Sequence, residues 1–353
     1  MRLLVVTNDY PPKPGGIQQY LRNLVAAYPD PVHVFAPADP RAEPDPVVTR
    51  GGRRYMLPTR SVLAQVVEVG RRFRPDAILF GAPHPLPALG PALRTALDVP
   101  VGVLSHGAEI TIPAAVPGLR QGFARTLRAA DVRFAVSGYT ARKVERLTGM
   151  PVVYAGAGVD VETFTPPAVR RRHDPAVVGC VSRFVPRKGQ DRLLRAAARL
   201  EGRVHVVLVG KGRMERRLRR LAAELGVDAR FEVDVPWAAL PGLYRDMDIF
   251  CMPCRTRWAG LEVEGLGLVF LEAAACGLPV LAGDSGGAPE TVEPGATGFV
   301  VRSIDDIVEA LELLVDDPDL TAEMGRAGRA RVEREFTWTA VVDRIVAGFG
   351  AAR

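Results

Sequence analysis

Short apolar runs alternate with helix-length amphipathic stretches along the chain, and this alternation starts twice. In the first half Arg2–Thr7, Val32–Ala36, Ala77–Phe80, Val101–Ser105 and Phe134–Ser137 read as strands. Ile17–Ala27, Val62–Phe73, Leu119–Ala129 and Tyr139–Leu147 read as helices between them, with Ile17, Tyr20, Leu21, Leu24 and Val25 on one face of the first. A polar, proline-containing stretch follows, Thr165-Pro166-Pro167 and Arg170-Arg171-Arg172-His173-Asp174-Pro175, which reads as an interdomain linker. The pattern then resumes with strands at Val177–Ser182, His205–Val209, Phe231–Val235, Ile249–Met252 and Pro279–Ala282. Its helices are Asp191–Leu200, Glu215–Leu225, Leu268–Cys276, Ile304–Val315, Asp319–Phe336 and Trp338–Phe349. Alternation of this kind predicts α/β architecture, with parallel sheets covered on both faces. We expect two Rossmann-like, doubly wound domains, residues 1–168 and 169–336, facing a central cleft. Ligands in such sheets bind outside the carboxyl ends of the strands.

Bulk properties narrow the function. At about 100–200 residues per domain, 353 residues suit two domains, and 48% hydrophobic content supplies two cores. Four cysteines are too few for a disulfide framework; Cys180 and Cys251 lie in strand-like runs, so we read reduced thiols and a cytoplasmic setting. The opening MRLLVVTNDYPP is too short for a signal peptide, and no run approaches the ~18 apolar residues of a spanning helix. Net charge is +6, all of it in residues 1–165, where 19 Lys and Arg face 13 Asp and Glu. Arg50, Arg53, Arg54 and Arg60 form one group, Arg71, Arg72 and Arg74 another, and Arg120, Arg125 and Arg128 a third. These groups suit either a solvated arginine-rich surface or peripheral contact with anionic lipid. Nucleic acid is not expected, because no basic stretch is interleaved with aromatics.

Five motifs follow strands. Pro11–Ile17 carries Gly15 and Gly16, which let backbone N–H groups approach a ligand at a helix N-terminus. Ser105–Glu109 places His106 at a strand end, suited to a sugar hydroxyl or a structural contact. Ser182–Gln190 sets Arg183 and Lys188 about a turn, complementary cations for a departing diphosphate. Glu264–Glu272 contains Gly265–Gly267, which open a helix whose Gly267, Leu268 and Val269 amides form an anion site. Its two carboxylates are eight residues apart, about 12 Å along a helix, too far for an acid/base pair on one bond. We read them as gripping opposite ends of a long ligand. Ser285–Glu290 is either a close backbone approach to ligand or plain turn chemistry. Cys251-Met252-Pro253-Cys254 lacks the second pair a zinc site needs. Asp246-Met247-Asp248 is read as capping and surface, so no metal is expected.

Together these residues resemble the family 4 retaining glycosyltransferases of GT-B fold: Glu264…Glu272 matches the family's E-x7-E spacing, and Gly15-Gly16, His106, Arg183 and Lys188 match its other positions. Asn8–Gln18, Arg183–Asp191 and Val263–Gly267 also resemble the actinobacterial phosphatidylinositol mannosyltransferases, most of all those adding a second mannose. That resemblance implies GDP-mannose as donor and an anionic glycolipid acceptor at the inner face of the membrane. It implies no required cofactor beyond possible Mg2+ stimulation. It also implies Arg183 and Lys188 on the diphosphate, Glu272 on the ribose, Glu264 and His106 on the mannose, and the Val235 backbone on the base. The last helix, about 337–353, is implied to cross back onto the first domain. Trp258 and Ala259 depart from the pattern by standing where glycines are expected. Leu57-Pro58-Thr59 and residues 110–118 would line the acceptor side.

The mechanism this implies is front-face transfer with retention, driven by positioning and electrostatics. Two rivals remain at this point. One is a relative using another sugar nucleotide and a soluble acceptor such as a natural-product aglycone. The other is a sugar-nucleotide epimerase, for which His106 and Glu109 are the only obvious acid/base pair.

Overall fold

The computed structural model describes residues 1–170 and 172–352; Arg171, in the stretch read as a linker, and Arg353 lie outside the described residues. In chain order the elements are β1 (Leu3–Val6), α1 (Gly16–Ala27), β2 (Val32–Ala36), β3 (Val48–Arg50), α2 (Arg60–Phe73), β4 (Ala77–Phe80), α3 (Gly90–Leu97), β5 (Val101–Ser105), α4 (Ala108–Ala115), α5 (Pro117–Arg128), β6 (Val132–Ala135), α6 (Gly138–Thr148) and β7 (Val153–Tyr154). They continue with β8 (Ala176–Val181), α7 (Gln190–Arg199), β9 (Val204–Val209), α8 (Glu215–Leu225), β10 (Ala229–Glu232), α9 (Leu240–Arg245), β11 (Ile249–Met252), α10 (Leu268–Ala275), β12 (Val280–Gly283), β13 (Gly298–Val301), α11 (Ile304–Asp316), α12 (Pro318–Glu335) and α13 (Trp338–Gly350). Two compact units result, Met1–Ala157 with Trp338–Arg353, and Gly158–Thr337.

In the first unit the sheet runs β3-β2-β1-β4-β5-β6-β7, every pairing parallel. Strand order reverses between β1 and β4, so the loops after β1, β4 and β5 share one edge, where this class of sheet takes its ligand. Leu4, Val6, Ile78, Phe80, Val101 and Val103 fill the core beside α2, α3 and α5. α13 packs against α1, β6 and β7. Its Phe349 ring lies 5.3 Å from Phe134, and a side chain at Gly102 would meet Phe349 at 2.6 Å.

The second unit repeats the design with order β10-β9-β8-β11-β12-β13, again all parallel. Its reversal falls between β8 and β11. Helix α10, apolar on nearly every side, is buried from Phe270 to Ala275, as an all-apolar helix must be.

Three sequence expectations change. The stretch read as a linker is pinned to the second unit, and the division falls earlier, between Ala157 and Gly158. Phe164 packs edge-on to Tyr244 and Trp237, each at 5.8 Å, and Arg170 Nη1 donates to the Met247 carbonyl at 2.8 Å. Asp248 is not a surface residue: it is buried and accepts from the Val177 N–H at 2.8 Å and from His173 Nδ1 at 3.0 Å. Val235 is not in a strand, because β10 ends at Glu232 and Asp234 takes a left-handed conformation, φ 56°.

Candidate active site

The second unit brings Lys188, from the turn after β8, against Glu264, in the loop between β11 and α10. β8 runs out through Ser182 into Pro186–Lys188, where a tight turn closes on Gly189. Gly189 has φ 80°, and a side chain there would overlap the Pro253 carbonyl. The turn is tied down by Gln190, whose Nε2 donates to Ser182 Oγ at 2.8 Å and to the Arg183 carbonyl at 3.0 Å. It is bound to the loop after β11 as well: the Arg255 N–H donates to the Arg187 carbonyl at 2.8 Å, and the Arg255 guanidinium pairs with Asp191 at 3.0 Å.

This construction buries Lys188 and aims it at Glu264. Lys188 Nζ lies 2.7 Å from Glu264 Oε2, and the Arg187 guanidinium binds the same oxygen. Burial alone would raise the Glu264 pKa, but the two cations and their hydrogen bonds outweigh it and hold the carboxyl at about 2. The closest approach of each cation is to Oε2. The Glu264 backbone is fixed by the Ser285–Glu290 segment. Its N–H donates to Ser285 Oγ at 3.2 Å, and its carbonyl accepts from the Gly287 N–H at 3.1 Å. Gly286, φ 61°, has no room for a side chain beside that carbonyl. The fifth motif is therefore a buttress for Glu264.

Gly267 caps α10 at φ 91°, and a side chain there would meet the Phe270 ring at 2.7 Å. The Leu268 and Val269 amides precede the helix's own hydrogen bonds and are the orphan donors of its first turn. Within the same helix Glu272 is buried and accepts from Tyr244 Oη at 2.8 Å. Burial pushes its pKa up to about 7 against the lowering effect of that hydrogen bond. The two carboxylates thus have opposite electrostatics, one held ionised by cations and one poised near neutrality.

Arg183 is exposed, with no side-chain partner among the described residues. Arg187, part of the Ser182–Gln190 motif but given no role by the sequence, is the second cation on Glu264. Its place beside Lys188 was the available signal, but which cation turns inward depends on the fold of the turn. Before Glu264, Trp258 and Ala259 both take left-handed conformations, φ 50° each, followed by Gly260 at φ 93°. The turn is clasped by Arg257 and Glu262, whose backbones pair at 2.9 and 3.2 Å and whose side chains pair at 2.8 Å.

In the first unit Gly15 and Gly16 open α1 and are exposed. His106 follows β5, buried, its Nε2 2.9 Å from the Gly81 carbonyl and its ring 5.1 Å from Tyr20. Because a carbonyl only accepts, Nε2 carries the proton. The Glu109 carboxylate is occupied by the backbone N–H groups of His106 and of Gly107, the latter at 3.2 Å. It closes the start of α4 and does not form an acid/base pair with the imidazole. All four cysteines are free and buried, and no group of three or more His, Cys, Asp or Glu comes together among the described residues.

Residues 162–331 match the family described as glycosyl transferases group 1, and residues 14–163 match glycosyltransferase family 4. A GDP-mannose-dependent monoacylated alpha-(1-6)-phosphatidylinositol monomannoside mannosyltransferase of Corynebacterium glutamicum is 40% identical over 98% of this chain and 96% of its own. The chain belongs to glycosyltransferase family 4. A GDP-mannose-dependent alpha-(1-6)-phosphatidylinositol monomannoside mannosyltransferase of Mycolicibacterium smegmatis is also 40% identical, over 95% of each chain. The fold of this glycosyltransferase matches Anabaena HepE, solved in complex with UDP, with a TM-score of 0.80 and 20% identity over 99% of this chain and 100% of that one. It also matches sucrose-phosphate synthase from Thermosynechococcus elongatus, with a TM-score of 0.80 and 22% identity over the whole of both. Both are GT-B structures of two parallel-sheet, Rossmann-like domains, the architecture found here.

Proposed function

We propose that this glycosyltransferase moves mannose from GDP-mannose, with retention, to a phosphatidylinositol mannoside-type glycolipid at the inner face of the membrane. The observation that carries the reading is 40% identity along nearly the whole chain to relatives named for that donor and acceptor. The Glu264 site supplies matching chemistry. The second unit binds the sugar nucleotide and the first the acceptor. Glu272 accepts from the ribose diol, and the Leu268 and Val269 amides with Arg183 and Lys188 take the diphosphate. Glu264 Oε1 accepts from the mannose, His106 contacts the same sugar, and the backbone near Val235 contacts the base.

In the reaction the bond from mannose C1 to the phosphate oxygen breaks as cationic and amide groups stabilise the leaving diphosphate. The acceptor hydroxyl attacks C1 from the same face and passes its proton to a phosphate oxygen. Preorganised charge of this kind is worth about 10²–10³-fold per group. Lys188→Ala should therefore lower kcat by about that factor while the protein still folds. Full activity in that variant would sink the assignment.

No helix among the described residues is long and apolar enough to cross a membrane. In the proposed reading the acceptor is met at the membrane surface by the basic first unit. The test is a panel of GDP-mannose and UDP-sugars crossed with phosphatidylinositol monomannoside and soluble aglycones, read by mass spectrometry. Mannose added to the lipid is expected; transfer from another nucleotide to a soluble acceptor would overturn the reading. Conversion of the nucleotide sugar without acceptor would identify an epimerase.

A further inference from the structure

The first unit carries a surface that the transfer chemistry does not use. Helix α4 ends at Ala115 and α5 begins at Pro117, and across that junction three apolar side chains stand in solvent: Ile112 (60% exposed), Val116 (42%) and Leu119 (55%). Beside them, between α5 and α6, lies a groove of about 650 Å3. Arg120, Arg125, Arg128 and Arg146 line it over Ala124 and Leu147, and no carboxylate is among its lining residues. Arg128 is engaged, its Nε donating to the Thr148 carbonyl at 2.7 Å. The guanidiniums of Arg120, Arg125 and Arg146 have no partner among the described residues. In the second unit Arg199, Arg203 and Arg302 each face an aspartate, whereas no lining residue of this groove offers a carboxylate.

Unpaired guanidiniums above an apolar floor fit an amphiphile with an anionic head, because the planar fork matches a phosphate in two hydrogen bonds. Exposed apolar side chains bordered by such charge mark a surface that leaves water when it docks. An acidic protein would satisfy the arginines but gives no reason for the apolar row to stand beside them.

We propose that this α4–α6 face docks on an anionic phospholipid surface, with one lipid phosphate seated among the groove arginines and Ile112, Val116 and Leu119 at the acyl boundary. The inference rests on the reading that the acceptor is a membrane glycolipid. It adds which face meets the membrane, and it assigns that role to α5 rather than to the arginines of α2.

The test is sedimentation of the full chain with vesicles of phosphatidylcholine and phosphatidylglycerol in equal parts, and of phosphatidylcholine alone, without donor or acceptor. Binding to the mixed vesicles only is expected. With each basic residue contributing a similar increment, the triple variant Arg120→Gln, Arg125→Gln, Arg146→Gln should weaken that binding about a hundredfold. Arg71→Gln, Arg72→Gln, Arg74→Gln should weaken it less than about fivefold. Ile112→Ser, Val116→Ser, Leu119→Ser should weaken it while leaving the circular-dichroism spectrum and both thermal unfolding transitions unchanged, a check that the first unit is folded. Equal losses from the α2 and α5 triples would mean diffuse attraction and overturn the proposal. Displacement by inorganic phosphate beyond that by chloride at the same ionic strength would identify a free-anion site and overturn it too. No sedimentation with mixed vesicles would also overturn it and leave an acidic protein as the occupant. Mannosyl transfer to detergent-dispersed acceptor is assayed separately: vesicle binding without transfer would refute the proposed reaction and leave the docking face standing.

Discussion

Glu264 meets two cations on a single oxygen, and the proposed role of Lys188, turning toward a diphosphate, would take one of them away. A buried carboxylate stripped of compensation costs several kcal/mol, so Arg187 must carry the charge alone at that moment. Arg187→Gln should therefore raise the Glu264 pKa from about 2, moving the acid limb of the kcat/KM profile to higher pH, and Arg187→Lys should restore much of it. An unchanged profile in Arg187→Gln would show that Lys188 suffices. Glu272 behaves in the opposite sense. Its pKa is raised from 4.5 to about 7, so the protonated form is favoured in the folded state. The stability this contributes is present below the ordinary carboxyl pKa and lost as pH rises through about 7. Thermal midpoints of the free protein should fall over that window, and Glu272→Gln should flatten the fall. In the proposed role Glu272 accepts from the ribose diol as the carboxylate, so GDP affinity should weaken as pH drops below about 7. Tyr244→Phe, which removes the one lowering influence, should push that weakening to higher pH, as calorimetric titration would report. At this scale the sequence exposed residue types but not pairings: Lys188 and Glu264 were both legible from their motifs, while their contact, and Arg187 with them, depends on Gly189 and Gly286 bringing distant backbones together.

Elements were legible where periodicity was long and uninterrupted. β2, β4, β5, β11 and α8 fall on the residues expected for them. The short edge strands β3 and β7 escaped because three and two residues carry no measurable alternation. Proline and glycine around Leu86–Pro91 and at Pro113 hid α3 and α4, since both residues ordinarily end helices. The turn at Trp258–Gly260 shows a different limit. Glycines were expected there, and the left-handed backbone explains the expectation, because a side chain in that conformation costs about 1–2 kcal/mol. Ala259→Gly should accordingly stabilise the second unit by about 1 kcal/mol, a rise in denaturation midpoint without loss of GDP binding. A lowered midpoint would mean that the clasp of Arg257 and Glu262 does not impose the strain.

The two-unit plan was the most legible feature of all, because parallel sheets covered on both faces follow from β/α alternation alone. Where the chain crosses between units was not, since the proline-rich stretch reads as a linker until Phe164 and Arg170 are seen packed on the second unit. The return of α13 to the first unit rests on Phe349 filling the space left by Gly102. Phe349→Ala should cost about 3–5 kcal/mol of stability, read by denaturant titration. If the second unit unfolds in place of the first, that packing does not carry the attachment.

The second unit is, in chain terms, an insertion between two pieces of the first. Synthesis from the N-terminus therefore completes Gly158–Thr337 before the unit that began first has received its last helix. Domains fold as units while they emerge, so the second unit is ready while its predecessor still exposes the bare flank of β6 and Gly102. A ribosome stalled anywhere short of Phe349 leaves the beginning of the protein, and not its end, unfinished.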